Sequence, residues 1–317
     1  MDLKEELVTL RQRTPKAPSR YFRTQSMNQH QIDLVLGILL VIPLLAVIFG
    51  VVGVPFTKAV YTSFTNKRIG MGETFVGLQN YIEIFRDGLF WIGIKNSFIY
   101  AFDSVVLKLV FGFCLALVLN EKLPLRNLWR AIILIPWAVP NLVATLTWRW
   151  MYSDTNGIIN ALLLKAGIID YPIPWLASTS TAMFAVIVIN VWKGIPFFTF
   201  SLLGGLQGID AQLYEAAAID GANWWQQIRH VVIPSLSGII IISSLLSTIW
   251  TFNDFQTIYI ATGGGPAHAT TIIPTLTYER AFWNLEIGKG IAISTAAAPL
   301  FIGLIMLATR YFLRRDE

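Results

Sequence analysis

The stretch EAAAIDGANWWQQIRHVVIP, residues 215–234, decides how this chain is read. It is polar and rich in small residues, yet it is set in a sequence that is 55% hydrophobic and 14% charged. Local rules make it two helices around a sharp turn. Asp210 can cap a helix that starts at Ala211, because a short acidic side chain accepts from the free N–H groups of a first turn. The run AQLYEAAAI consists largely of good helix formers. Gly221 can end that helix in the left-handed conformation. Asn223 can cap a second helix, with Gln226 three residues on in the manner of a capping box. Pro234 can begin or kink the next apolar helix. Ala216, Ala217 and Ala218 let another surface come close, and Glu215 projects a charge. The plainer alternative is a solvated connector. The compact helical pattern favours a docking element, a helix laid into a partner's groove.

Where that element lies follows from composition. Ordinary soluble domains carry about 25% charged residues. This chain of 317 residues has a mean hydropathy of +0.58. Both features point to an integral membrane protein with about 20 apolar residues per crossing. Six stretches qualify, near residues 32–54, 98–119, 128–148, 181–203, 231–250 and 290–312. Proline and glycine inside them are tolerated when the helices pack as a bundle. The basic N-terminus is long and the apolar run after it exceeds a signal core, so the first stretch is expected to remain as a span.

Lysine and arginine orient the six. With the N-terminus inside, thirteen fall on or beside inner segments, among them Lys122, Arg126, Arg130 and Arg229, and nine on outer ones. The positive-inside rule then makes both termini cytoplasmic. Tryptophans such as Trp91, Trp129, Trp148 and Trp283 fall near expected interfaces, as an aromatic belt requires. The formal net charge of +5 is assigned to anionic lipid rather than nucleic acid. The expected layout is a basic cytoplasmic segment over residues 1–31, a first span with an outer loop over 32–91, a helical core over 92–312 and a tail over 313–317. The docking element, within about 206–231, faces the cytoplasm between spans four and five.

Here the sequence resembles a known group. Glu215, Ala216, Ala217, Asp220, Gly221, Ala222 and Pro234 match the "EAA" loop of ABC-importer permeases at its sugar-type spacing. Ile228 stands where an aromatic is common, a departure expected to alter packing alone. FVGLQNY at 75–81, IPWAVP at 135–140, WKGIPF at 192–197 and TGGGP at 262–266 are similar to the maltose and glycerol-phosphate group. The resemblance covers nearly the whole chain after about Gln31. It implies an all-α permease in a bacterial cytoplasmic membrane, with a five-helix core after the first span. It also implies a second homologous permease, two ATPase subunits docked at the loop, and an extracytoplasmic binding protein at the outer loops. Glu215 would help bind the ATPase and Gly221 would permit the turn. The cargo would be a sugar, most readily an oligosaccharide, with an acidic saccharide or glycerol phosphate as the alternative.

The remaining motifs are consistent with that division of labour. The chain contains no G-x-x-x-x-G-K-[ST], so ATP and Mg are expected on the partner ATPase. His30, His230, His268 and the single Cys114 give no zinc spacing. A membrane-embedded enzyme would need a nucleophile with its base, and a passive channel would leave the docking element unexplained.

Charges inside spans mark the remaining candidates. Asp103 and Lys108 each cost about 3 kcal/mol in lipid on insertion scales. Five residues apart on a helix, they point about 140° from each other and are poor mutual partners. Each either pairs with another span or subunit, or lines the path of an anionic substrate. Trp137, Trp192 and Phe198 either stack on sugar rings or pack the interior. Asn253 and Asp254 complete the candidate set for the path.

Overall fold

A computed structural model of the chain describes residues 29–313. The basic segment and the tail expected from the sequence lie wholly or largely outside them. The described chain is helical throughout, apart from one isolated antiparallel bridge between Thr65 and Phe75. It divides into two compact units, residues 1–56 and 57–317.

We number the helices α1 Leu36–Ser63, α2 Gln79–Arg86, α3 Gly88–Asn120, α4 Arg126–Ala138, α5 Asn141–Met151, α6 Ile158–Lys165, α7 Ala182–Leu206, α8 Ala211–Ile219, α9 Trp224–Ser235, α10 Ser237–Phe252, α11 Phe255–Ala261, α12 Ile273–Tyr278 and α13 Ile287–Leu313. Three of them, α1, α3 and α7, are long and apolar enough to cross a bilayer unaided. Two bent pairs are long and apolar enough for one crossing each: α4 and α5 meet at 93°, and α9 and α10 at 66°. The sequence placed single spans near 128–148 and 231–250, with Pro234 expected to begin or kink the second.

The first break has a local cause. Pro140 fixes its own φ and pushes Val139 into an extended conformation, with φ −70° and ψ 129°. The freed carbonyl of Val139 accepts a hydrogen bond from Lys193 Nζ at 2.7 Å. A cation at a helix C-terminus also complements the helix dipole.

The second unit is organised around α3 and α7. With no hydrophobic effect between helices in lipid, close approach has to come from small residues. A Cβ at Gly112 would overlap Phe198, which is fully buried. One at Gly194 would run into the methylenes of Lys108, and one at Gly205 into Leu236 and Ile239. Three glycines thus set the spacing of α7 against α3 and α10.

Asn96 of α3 donates to the carbonyls of His268, Ala269 and Thr271 at 3.0–3.2 Å. This anchors the loop that carries TGGGP. Ion pairs join further segments: Arg280 to Asp87, Arg68 to Glu286, and Lys289 to both Glu83 and Glu286. Lys289, then Gln79, hydrogen-bond the Glu83 carboxylate and hold its pKa below the usual value.

The glycine packing gives a paired expectation. Gly112→Ala should destabilise the folded protein by about 1–3 kcal/mol, the usual cost of overpacking. Gly204→Ala, where an added Cβ meets nothing within 4 Å, should be close to neutral. Thermal unfolding of the two purified variants in detergent checks the contrast.

Candidate functional site

Two sites emerge, one at membrane depth and one at the docking element. The first is a cavity of about 420 Å³ bounded by α3, α7, α10, α11 and the α4–α5 break. Its size lies within the range of small-molecule sites.

Asp254 organises it. The helix breaks after Phe252, and Asp254 caps the next one by accepting from the Thr257 N–H at 3.1 Å. Its other oxygen accepts from the Tyr100 hydroxyl and from the Asn190 side-chain amide, both at 2.7 Å. One carboxylate therefore joins α3, α7 and α11. A half-buried anion is tolerable when its lone pairs are satisfied in this way.

The two lysines are placed differently. Lys108 is buried, and its Nζ donates to Thr251 Oγ1 at 3.0 Å and to Ser247 Oγ at 3.4 Å. Among the described residues no acid pairs with it directly. Lys193 is half-buried and holds Val139. Trp137, Trp250, Phe197 and Phe255 supply aromatic wall, while Asn141, Asn253 and Gln256 supply amides. A wall of ring faces, amides and hydroxyls suits a ligand with apolar ring faces and many hydroxyl groups.

The sequence candidates separate on this geometry. Lys108, Trp137, Asn253 and Asp254 line the cavity. Trp192 does not, and packs edge-on against Trp148 with ring centroids 5.8 Å apart. Phe198 is fully buried over Gly112. Asp103 also lies off the cavity wall. Sequence reasoning did not single out Tyr100, Asn141 or Asn190. A lone asparagine inside an otherwise apolar span was the available signal for Asn190.

At the docking element every local expectation has a counterpart. Asp210 accepts from the Gln212 N–H at 2.9 Å. At the other end of α8 the Ala222 N–H donates to Ala217 and the Gly221 N–H to Ala218. That is the double bond of a Schellman stop, with Gly221 at φ +79°. Asn223 and Gln226 exchange reciprocal bonds at 2.7 and 3.0 Å. Glu215 and Ala216 are exposed, and α8 has no buried residue. Ile219 and Trp225 are 86% and 73% exposed. Ile228, by contrast, is buried.

Because two neutral donors depend on Asp254, its removal should cost more than that of either donor. Tyr100→Phe should destabilise the protein by about 1 kcal/mol, the loss of one hydrogen bond. Asp254→Leu leaves Tyr100 and Asn190 unpaired and should cost about 2–5 kcal/mol. Asp254→Asn should fall between them. Thermal unfolding in detergent ranks the three.

Comparison with known proteins agrees with this architecture. Residues 108–316 match the family described as binding-protein-dependent transport system inner membrane component. The trehalose/maltose transport system permease protein MalF of Thermococcus litoralis is 38% identical over 89% of this chain and 95% of its own length. The sulfoquinovosyl glycerol transport system permease protein SmoG of Agrobacterium fabrum is 32% identical over 89% and 90%. A crystal structure of a bacterial ABC transporter that imports the acidic polysaccharide alginate shares the fold. Its TM-score is 0.76 at 20% identity, covering 91% of this chain and 98% of that one. The chain belongs to the family of inner-membrane permease components of binding-protein-dependent transport systems.

Proposed function

We propose that this chain is one permease subunit of an ATP-driven importer that carries an oligosaccharide by alternating access. The observation that carries the proposal is the docking element. It is a helix–glycine–helix whose apolar Ile219 and Trp225 have little cover among the described residues. An exposed apolar surface with Glu215 beside it suits a partner's groove.

The reading includes six crossings, with each bent pair counted as one span and α13 as the last, and with both termini cytoplasmic. The lysine and arginine asymmetry supports it. Two ATPase subunits bind ATP and Mg and hold α8 and α9. A second permease completes the bundle, and an extracytoplasmic binding protein delivers the saccharide. Glu215, Ala216, Ala217, Asp220, Gly221 and Ala222 form the contact that couples ATP to movement.

The central cavity is the passage site in this account. Movement of the docked helices is transmitted through α9 to α10, and α10 carries Ser247 and Thr251 on the cavity wall, with Asn253 just past its end. ATP-driven closure then biases a bistable packing rather than bending it continuously. The permease names of the trehalose/maltose and sulfoquinovosyl glycerol relatives support a saccharide cargo. The aromatic and amide lining supports one rich in hydroxyl groups. The two lysines beside one aspartate leave room for an acidic saccharide as the second reading.

Gly221→Pro tests the coupling. Proline cannot take φ +79°, so the stop between α8 and α9 has to rearrange. In the assembled transporter, stimulation of ATP hydrolysis by liganded binding protein should fall more than about tenfold, as for loss of a coupling contact. Membrane insertion should persist. Stimulation and uptake at the level of the unaltered protein would refute the assignment.

A further inference from the structure

The other charged groups at the centre of the bundle find partners within the chain. Asp254 has three donors, Lys108 two hydroxyls and Lys193 a carbonyl. Asp103 is the exception. Among the described residues it has neither a hydrogen-bond nor an ion-pair partner, although it is half-buried.

Its depth makes that notable. α3 has 33 residues, and Asp103 stands one position from its centre. The helix is about 50 Å long against a hydrocarbon core of about 30 Å. A carboxylate there cannot reach either interface by extending its short side chain.

Its direction is equally specific. At 100° per residue, Ile99, Val106 and Val110 lie within about 60° of Asp103 on the helix surface. Val106 is 40% exposed and Val110 50%. Phe102, at the edge of the same face, is 69% exposed. Lys108, which lines the cavity, points about 140° away. Asp103 is thus an unmet anion at the border between the packed side of α3, where Asn96 and Tyr100 are buried, and an exposed apolar face that carries Val106 and Val110, turned away from the cavity.

We infer that this face is the contact surface for the second permease subunit, which meets Asp103 with a basic side chain. The inference rests on the transporter reading given above. Lipid tails offer nothing to a carboxylate, whereas a cation from a packed helix supplies both charge and hydrogen bonds. The surrounding valines and isoleucine exclude water and strengthen the pair.

Two experiments on the full chain, tagged and expressed in its own host, test this. The first measures the ratio of second permease to tagged chain after detergent purification, with the permease identified by mass spectrometry. Asp103→Lys and Asp103→Leu should each lower that ratio more than about tenfold, since both leave a buried cation unpaired. Asp103→Asn should lower it less, and Asp103→Glu should retain most of it. The second places a benzophenone photocrosslinker at Val106, on the same face, in a chain with Asp103 unaltered. It should capture the second permease.

Retention of the ratio in the Lys and Leu variants overturns the inference. So does an Asp103→Leu variant that assembles normally but no longer imports, which would place Asp103 on the path. A crosslinker that captures no protein identifies a lipid face and also overturns it. An unaltered chain that carries no second permease overturns the transporter reading together with this one.

Discussion

The Asp254 carboxylate is the point on which three helices converge. It terminates the break after α10, caps α11, and accepts from Tyr100 on α3 and Asn190 on α7. Partly shielded from water, these bonds meet less competition from solvent than surface ones, and a lost one is less readily replaced. The position of α11 against the α3–α7 pair follows from this one group. So does the opening beside it, because a helix that stops at Phe252 and restarts at Phe255 cannot fill the space that a continuous helix would.

The same constraint explains the breaks elsewhere. Irregular backbone at membrane depth survives where side chains or a cavity satisfy it. Val139 offers a carbonyl at the α4–α5 bend, and Lys193 meets it. The bend and the cavity therefore share one wall. Close helix packing supplies the complementary rigidity through Gly112, Gly194 and Gly205. Rigid pairs joined at a few polar hinges form a body that can switch between two packings. The docking element is continuous with α9, and through a 66° bend with α10, so force applied to it reaches the cavity wall.

How much of this the sequence disclosed depends on the range of each interaction. The docking element was readable residue by residue. Asp210, Gly221, Asn223 and Gln226 act within one turn of themselves, so spacing alone predicts their bonds. Hydropathy found the apolar stretches but not their shape. It assigned single spans to 128–148, where Pro140 divides the chain, and to 231–250, where α9 and α10 bend. The second apolar stretch was placed near 98–119, although α3 already begins at Gly88. The cavity was only partly legible. Lys108, Trp137, Asn253 and Asp254 stood out as charged, polar or aromatic groups near apolar runs. Their convergence with Asn190 and Tyr100 is a tertiary fact, made by contacts 64 and 154 residues apart in sequence. Phe198 was left between stacking on a sugar and packing the interior because an aromatic side chain does not declare which face of its helix is buried.

The central claim is that saccharide crosses this subunit only when ATP drives it. Proteoliposomes should hold the purified complex with ATP enclosed, and should receive a labelled disaccharide with liganded binding protein outside. The account predicts accumulation above the external concentration, abolished when either ATP or the binding protein is omitted. Flux that merely equilibrates the label, and continues without ATP, would contradict it.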